Sequence, residues 1–300
     1  MGILLGLLTA LSWGASDFLA RFASRRIGSL RATLYMQLFG FVLLTICLRW
    51  VGGWGHLFDG SGWQPWAWGV LAGLLNSAST LCLYRSFEVG KMAVVAPLSA
   101  SYPALTVAIS FFSGEHLTAL RVGGIVLILV GVVIVVRGEA AAIESVEAPG
   151  SSRVSPATEI VKPSGIGVAL ISALGFGVLF WLLGNRVVPH VGFASAVWMI
   201  RLTSTVVTVI VIVAMRRPLA LPRKSAVSTW LLAMGVLDTG AFVLNNLGMQ
   251  IEQVSVVSVL SSLYGAVTVL LSSVILRERL SKVQWLGIVA IFGGITAISL

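Results

Sequence analysis

The stretch Ser99-Ala100-Ser101-Tyr102-Pro103-Ala104-Leu105-Thr106 returns later in the chain as Ser261-Ser262-Leu263-Tyr264-Gly265-Ala266-Val267-Thr268. An offset of about 162 residues carries Ser99, Tyr102 and Thr106 onto Ser261, Tyr264 and Thr268. The same shift carries Asn76 onto Asp238, and one residue more carries Glu115 onto Glu278. Repetition of particular polar residues, and not of hydrophobicity alone, points to an internal duplication. Both copies are apolar enough for lipid, so the chain reads as a membrane unit written twice.

Composition supports this. Of 300 residues, 57% are hydrophobic and 10% charged, with a mean hydropathy of +0.99. A soluble chain carries about 25% charged residues. Ten apolar stretches stand out, near 2–20, 32–50, 65–84, 92–113, 119–136, 165–185, 192–214, 226–247, 254–276 and 283–300. Each has about the length that crosses a hydrocarbon core, and in lipid each must satisfy its own backbone polar groups as a helix. The expected fold is an all-α membrane protein with ten transmembrane helices in two inverted five-helix repeats. The repeats occupy residues 1–137 and 165–300. The segment 138–164, with Glu139, Glu144, Glu147, Glu159 and three prolines, reads as a linker. No basic residue precedes the first apolar run, so it reads as a span and not as a cleaved signal.

Several classes of function are disfavoured. Cys47 and Cys82 fall inside spans 2 and 3, which argues for packing and against a disulfide framework or metal cluster. His56, His116 and His190 are scattered, with no metalloprotease, phosphate-loop or nucleophile-elbow motif, so neither cofactor nor enzyme chemistry is expected. The net charge of +9 comes without a basic run interleaved with aromatics, which argues against nucleic acid. The basic residues instead set orientation against anionic lipid.

Sixteen of the twenty Lys and Arg residues lie in the loops joining spans 1–2, 3–4, 5–6, 7–8 and 9–10. The alternate loops hold three (Arg49, Arg121 and Arg186), and Arg201 lies inside span 7. The positive-inside rule then places both termini outside the cytoplasmic membrane. Five is an odd number of crossings, so equivalent loops of the two copies should carry opposite bias. They do: four basic residues in loop 1–2 against one in loop 6–7, and one in loop 2–3 against four in loop 7–8. Trp50, Trp54, Trp63, Trp66 and Trp68 mark a membrane edge near loop 2–3.

The segment Pro97–Pro103, then Gly114-Glu115-His116-Leu117-Thr118, Arg121, Gly124 and Gly131, resembles the drug/metabolite transporter superfamily, specifically EamA-type carriers. The second copy is similar again in Tyr264, Arg277-Glu278-Arg279-Leu280-Ser281, Trp285, Gly287 and Gly294. Leu11-Ser12-Trp13-Gly14 is similar to the usual start of the first helix, with Leu174-Gly175 as its echo. The resemblance covers the whole chain. It implies ten helices, a central cavity, alternating access and transport of small organic metabolites, commonly export of amino acids or related compounds. Members are often drawn with cytoplasmic termini, whereas the charges here argue for the reverse.

Asp17, Asp238 and Arg201 are the costly residues, since a charge at a helix centre costs roughly 2.5–3.5 kcal/mol on insertion scales. One reading gives the aspartates proton or cation coupling and gives Arg201 the capture of an anionic substrate group. The other makes Arg201 and an aspartate a fixed structural pair. Asp17 has a further local explanation, a pair with Arg21 one turn on. Asn76, Thr80 and Tyr84 form a polar stripe on span 3, matched on span 8 by Asp238, Phe242 and Asn246, with Asn245 beside them. Matching stripes suggest two walls of one cavity; interhelical hydrogen bonding is the alternative. Ser99, Tyr102, Thr106 and their copies Ser261, Tyr264 and Thr268 share one face in each repeat, and Trp13 stands one turn before Asp17. Pro97 and Pro103 should interrupt span 4, whereas span 9 has no proline, so the two repeats should bend unequally. Glu115 and Glu278 precede spans 5 and 10 and are expected to cap them. Gly123-Gly124 and Gly293-Gly294 are expected at close contacts between the halves.

The expectation is therefore a secondary transporter with its cavity lined by spans 1, 3, 4, 6, 8 and 9. Its partners are a small-molecule substrate and membrane lipid, and the functional unit is a monomer. Asp17 or Asp238 would couple transport to protons, with facilitated diffusion the other option. A flippase for lipid-linked sugars, a membrane enzyme and a non-transporting scaffold are the competing readings.

Overall fold

The chain is described here by a computed structural model. It describes residues 1–50, 53–58, 60, 62–112, 114, 118–147, 165–220, 225–278 and 280–299. Within these residues the structure is helical. The ten long elements are α1 (Gly2–Ile27), α2 (Ser29–Cys47), α3 (Gln64–Val89), α4 (Met92–Phe112), α5 (Ala119–Glu147), α6 (Ile166–Val191), α7 (Phe193–Ala214), α8 (Ser225–Ile251), α9 (Val254–Leu276) and α10 (Lys282–Ser299). Among the described residues, α1 to α9 are long and apolar enough to span a membrane, and α10 contributes a shorter apolar helix over Lys282–Ile298. The protein is an all-α, multi-pass membrane protein.

The turns echo the duplication. Gly28 ends α1 and starts α2 at φ 83°, and Gly192 ends α6 and starts α7 at φ 78°. A left-handed residue between two helices costs glycine little and a β-carbon much more.

Packing is exchanged between the halves. α1 packs on α8, and α6 packs on α3; α1 also lies along both parts of α9, as α6 does along both parts of α4. α2 packs on α7, and α5 on α10. Each contact maps onto its partner when the two halves are swapped, as a pseudo-twofold axis in the membrane plane requires. At the α5–α10 crossing, a β-carbon on Gly124 would meet Gly294 O at 2.7 Å, and one on Gly131 would meet Gly287 O at 2.7 Å. The contact glycines are thus Gly124, Gly131, Gly287 and Gly294. Gly123 faces open space and Gly293 meets only Leu127 at 3.6 Å, so these two do not serve the close contact expected of them.

The bundle is apolar outside and polar inside. Ile3, Leu11, Leu174 and Val289 are more than half exposed toward the surrounding lipid, while Asn76, Asn245, Thr106 and Arg201 are fully buried. Lipid carries no penalty for exposed leucine, so helices turn their hydrogen-bonding groups toward one another.

Both fourth helices of the repeats are broken. α4 consists of Met92–Ser99 and Pro103–Phe112. α9 consists of Val254–Ser262, Tyr264–Leu271 and a π-helical turn at Ser272–Leu276. α9 breaks although it has no proline, over Leu263 alone, whereas residues 100–102 interrupt α4. Serine hydroxyls supply the reason: Ser262 donates to Val259 O at 2.7 Å and Ser261 to Ser258 O at 3.1 Å, as Ser101 does to Leu98 O at 2.7 Å in α4. These side chains satisfy carbonyls at the end of each first segment, so no proline is needed. The second segments begin at Pro103 in one repeat and Tyr264-Gly265 in the other, and Gly265 lets α9 approach Ala100, whose β-carbon would lie 2.6 Å from one built on the glycine.

α5 continues to Glu147, so 138–147 of the expected linker is helical; 148–164, with Glu159, lie outside the described residues. Glu115, His116, Leu117 and Arg279 of the quoted motifs also lie outside them.

Candidate functional site

At the centre of the bundle, six helices enclose a cavity. Trp13 and Asp17 come from α1, Thr80, Leu83 and Tyr84 from α3, Tyr102 from α4, Phe176 and Phe180 from α6, Asp238 and Phe242 from α8, and Tyr264 from α9. Three helices belong to each repeat. Tyr102 and Tyr264, equivalent in sequence, stand at the two helix breaks and face each other's half across the cavity.

Aromatic rings form most of the wall. Trp13 lies 5.0 Å from Phe242, 5.5 Å from Phe180 and 6.1 Å from Tyr264, and Phe180 lies 4.8 Å from Tyr102. Trp13 and Asp17 are one helical turn apart, as are Phe176 and Phe180, so α1 and α6 each present one face to the site. The free space left between these side chains is about 30 Å³. That holds roughly two waters. That space is too small for a metabolite, so the site must open to admit one.

The two carboxylates differ in their partners. Asp238 Oδ2 accepts a hydrogen bond from Arg201 Nη2. Arg201 Nη1 donates to Gln37 Oε1 at 2.5 Å, and the guanidinium lies 4.9 Å from the Phe242 ring centre. Arg201 is fully buried behind Asp238 and does not line the cavity. Its charge is spent on α8 and α2, which favours the structural-pair reading over direct capture of an anionic substrate. Asp17 is only 4% exposed, lines the cavity, and has no hydrogen-bond or ion-pair partner among the described residues. The local pair with Arg21 does not form.

Arg21 reaches away from the cavity. Its Nη1 donates to Phe87 O at 2.9 Å and Gly90 O at 2.6 Å, and its Nη2 pairs with Glu278 at 2.6 Å. The other Glu278 oxygen accepts the Ala93 N–H at 2.8 Å. One ion pair thus ties the end of α1, the end of α3, the start of α4 and the α9–α10 connection. Glu278 caps α4, not α10 as expected. α10 has its own capping box: Ser281 N–H donates to Gln284 Oε1 at 2.8 Å and Gln284 N–H to Ser281 Oγ at 3.2 Å.

Other residues expected at the cavity hold helices together instead. Asn76 Nδ2 donates to Ser204 Oγ at 3.1 Å, Ser99 Oγ to Ala169 O at 3.4 Å and Asn246 Nδ2 to Phe193 O at 3.3 Å. Ser261 Oγ lies 2.9 Å from Tyr102 Oη, which also donates to Ser258 O at 2.9 Å, so the serine positions one cavity tyrosine without lining the cavity itself. The Tyr264 hydroxyl is buried without a hydrogen-bond partner among the described residues. Leu83, Phe176 and Phe180 line the site without having been expected there. An apolar side chain on a membrane helix suits lipid and protein equally, so composition does not reveal its direction; only the one-turn spacing of the two phenylalanines hints at a shared face.

Two inverted five-helix units around a central cavity at broken helices are an architecture of membrane transporters built from internal repeats. The comparisons agree with that class. The EamA-like transporter family matches residues 1–137 and 163–300, and the chain belongs to that family of membrane transporters. An uncharacterized protein of Methanocaldococcus jannaschii is 30% identical over 133 residues, which cover 44% of this chain and 93% of that protein. That relative is thus close in length to a single repeat. A solved crystal structure superposes with a TM-score of 0.70 at 20% identity, covering 99% of this chain and 97% of that one, a likeness of fold.

Proposed function

We propose that this transporter carries small organic metabolites bearing a protonated amine, amino acids and related compounds among them, out of the cell by alternating access. Asp17 carries the reading. It is a carboxylate held inside an aromatic enclosure, with its neighbour Asp238 already neutralised by Arg201. A charge at that depth calls for a counter-charge, and an ammonium group or a proton supplies it. Trp13, Phe180, Phe242 and the two tyrosines offer ring faces that attract a cation and exclude water. Loading by a proton and by an amine are then mutually exclusive, which is the basis for proton-coupled exchange. Of the two aspartates offered for coupling, Asp17 takes the role, because Asp238 is engaged by a buried arginine.

In this reading both termini face outward, as the Lys and Arg bias suggests, and the Arg21–Glu278 tie closes the cytoplasmic end. Opening requires that tie to part while the two repeats rock about the cavity.

The test is flux into proteoliposomes with an imposed pH gradient, using a panel of radiolabelled amino acids and amines. Gradient-driven, saturable uptake by the wild type that Asp17→Asn abolishes is the expected result. Equal gradient dependence in Asp17→Asn and wild type would sink the assignment.

A further inference from the structure

A second cavity, of about 260 Å³, lies where the α1–α2 turn, the end of α3 and the end of α7 meet. It is separate from the central site and shares no lining residue with it. Its wall carries three guanidinium groups, Arg31, Arg85 and Arg217, against a single carboxylate, Glu88. Arg85 is committed to Glu88 at 2.9 Å. Glu88 also accepts the Ser29 N–H at 3.1 Å, so the amino end of α2 is already capped. Arg31 uses only its Nε–H, donated to Ile27 O at 2.7 Å. Its two terminal amino groups, and the whole guanidinium of Arg217, have no partner among the described residues.

The frame around these groups is fixed by backbone. The Arg217 N–H donates to Ile212 O at 3.0 Å, and the Tyr35 hydroxyl donates to Leu219 O, which holds the chain after α7 against α2. The floor is apolar, formed by the buried Ile27 and Ile212. The cavity is therefore amphiphilic: the Arg217 guanidinium and the two terminal amino groups of Arg31 at the rim, hydrocarbon beneath, at the ends of membrane-crossing helices. It also lies at the end of the bundle that concentrates the chain's Lys and Arg.

We infer that this cavity binds a phosphate group, presented by the headgroup of an anionic phospholipid. Guanidinium groups pair with phosphate oxygens in bidentate geometry, and a glycerol backbone suits the apolar floor. Basic pockets between helices at a cytoplasmic membrane edge meet the leaflet rich in such lipids. The inference stands apart from the amine reading of the central site.

The experiment measures thermal stabilisation of the purified protein in neutral detergent. Phosphatidylglycerol, phosphatidylcholine and soluble glycerol phosphate are titrated separately, and native mass spectrometry counts retained lipid. Phosphatidylglycerol should raise the melting temperature saturably, and phosphatidylcholine should not. The Arg31→Gln/Arg217→Gln variant should lose about tenfold in apparent affinity, the loss expected from removing charge-assisted hydrogen bonds. Arg186→Gln, at the other end of the bundle, should behave as wild type. If the double variant fails to fold, Arg217→Gln alone tests the same point, since that exposed side chain contacts nothing it would leave unpaired. Equal stabilisation by phosphatidylcholine, or full affinity in the arginine variants, overturns the site. Full stabilisation by glycerol phosphate keeps a phosphate site but overturns its assignment to lipid.

Discussion

Arg21 and Glu278 stand 257 residues apart in the chain and 2.6 Å apart in space. One comes from each repeat, and together they reach the ends of two further helices through Phe87 O, Gly90 O and the Ala93 N–H. No other described ion pair joins the two halves at a membrane edge. Arg21→Gln or Glu278→Gln should favour the conformation open at that end. With Cys47 and Cys82 replaced by Ala, a cysteine introduced by Thr80→Cys reports access to the cavity. Its alkylation from that side should quicken by about tenfold in either variant, the shift expected from losing one charge-assisted contact. The swap Arg21→Glu/Glu278→Arg should recover part of the difference. An unchanged rate in all three would remove the latch.

Arg201 and Asp238 hold each other inside the bundle, and their energetics differ from those of an exposed pair. Arg201→Leu leaves Asp238 as a buried, unneutralised acid, and Asp238→Leu leaves the guanidinium stranded against Gln37. Each single variant should lose about 3–5 kcal/mol, and the double variant distinctly less than their sum. Thermal or denaturant unfolding in detergent measures this. Additive losses would mean that the pair is not the unit of stability there.

Asp17 predicts the opposite pattern, because its side chain ties nothing together. Asp17→Asn should leave the melting temperature close to wild type while lowering flux of an aminated substrate by about 10- to 100-fold, the worth of a hydrogen bond to a charged group. A variant that unfolds and loses transport together would mark Asp17 as a structural residue.

The α5–α10 crossing distinguishes adjacent glycines. Gly124→Val places a side chain where a β-carbon would already lie 2.7 Å from Gly294 O, whereas Gly123→Ala meets nothing within 4 Å. The first should cost about 1–3 kcal/mol through overpacking. The second should be neutral or stabilise by up to about 1 kcal/mol through helix propensity. Paired melting curves decide the matter, and equal effects would refute the close crossing.

Much of the architecture was legible in residue order because lipid imposes strict terms. Every crossing must be long, apolar and self-satisfied, so the spans announce themselves in composition. The repeated Ser-Tyr-Thr pattern and the opposed loop charges further indicate two copies related by inversion. The cavity was partly legible too: Trp13, Asp17, Thr80, Tyr84, Tyr102, Asp238, Phe242 and Tyr264 are brought together. What the chain alone left undecided was pairing and direction. Arg21 has Asp17 one turn away yet bonds to Glu278, and Asn76 turns to Ser204 while Thr80 on the same helix faces the cavity. Such choices depend on distances between helices far apart in sequence, and electrostatic and hydrogen-bond energies change steeply over an ångström or two. Hydropathy, which falls the same on every side of an apolar helix, carries no record of them.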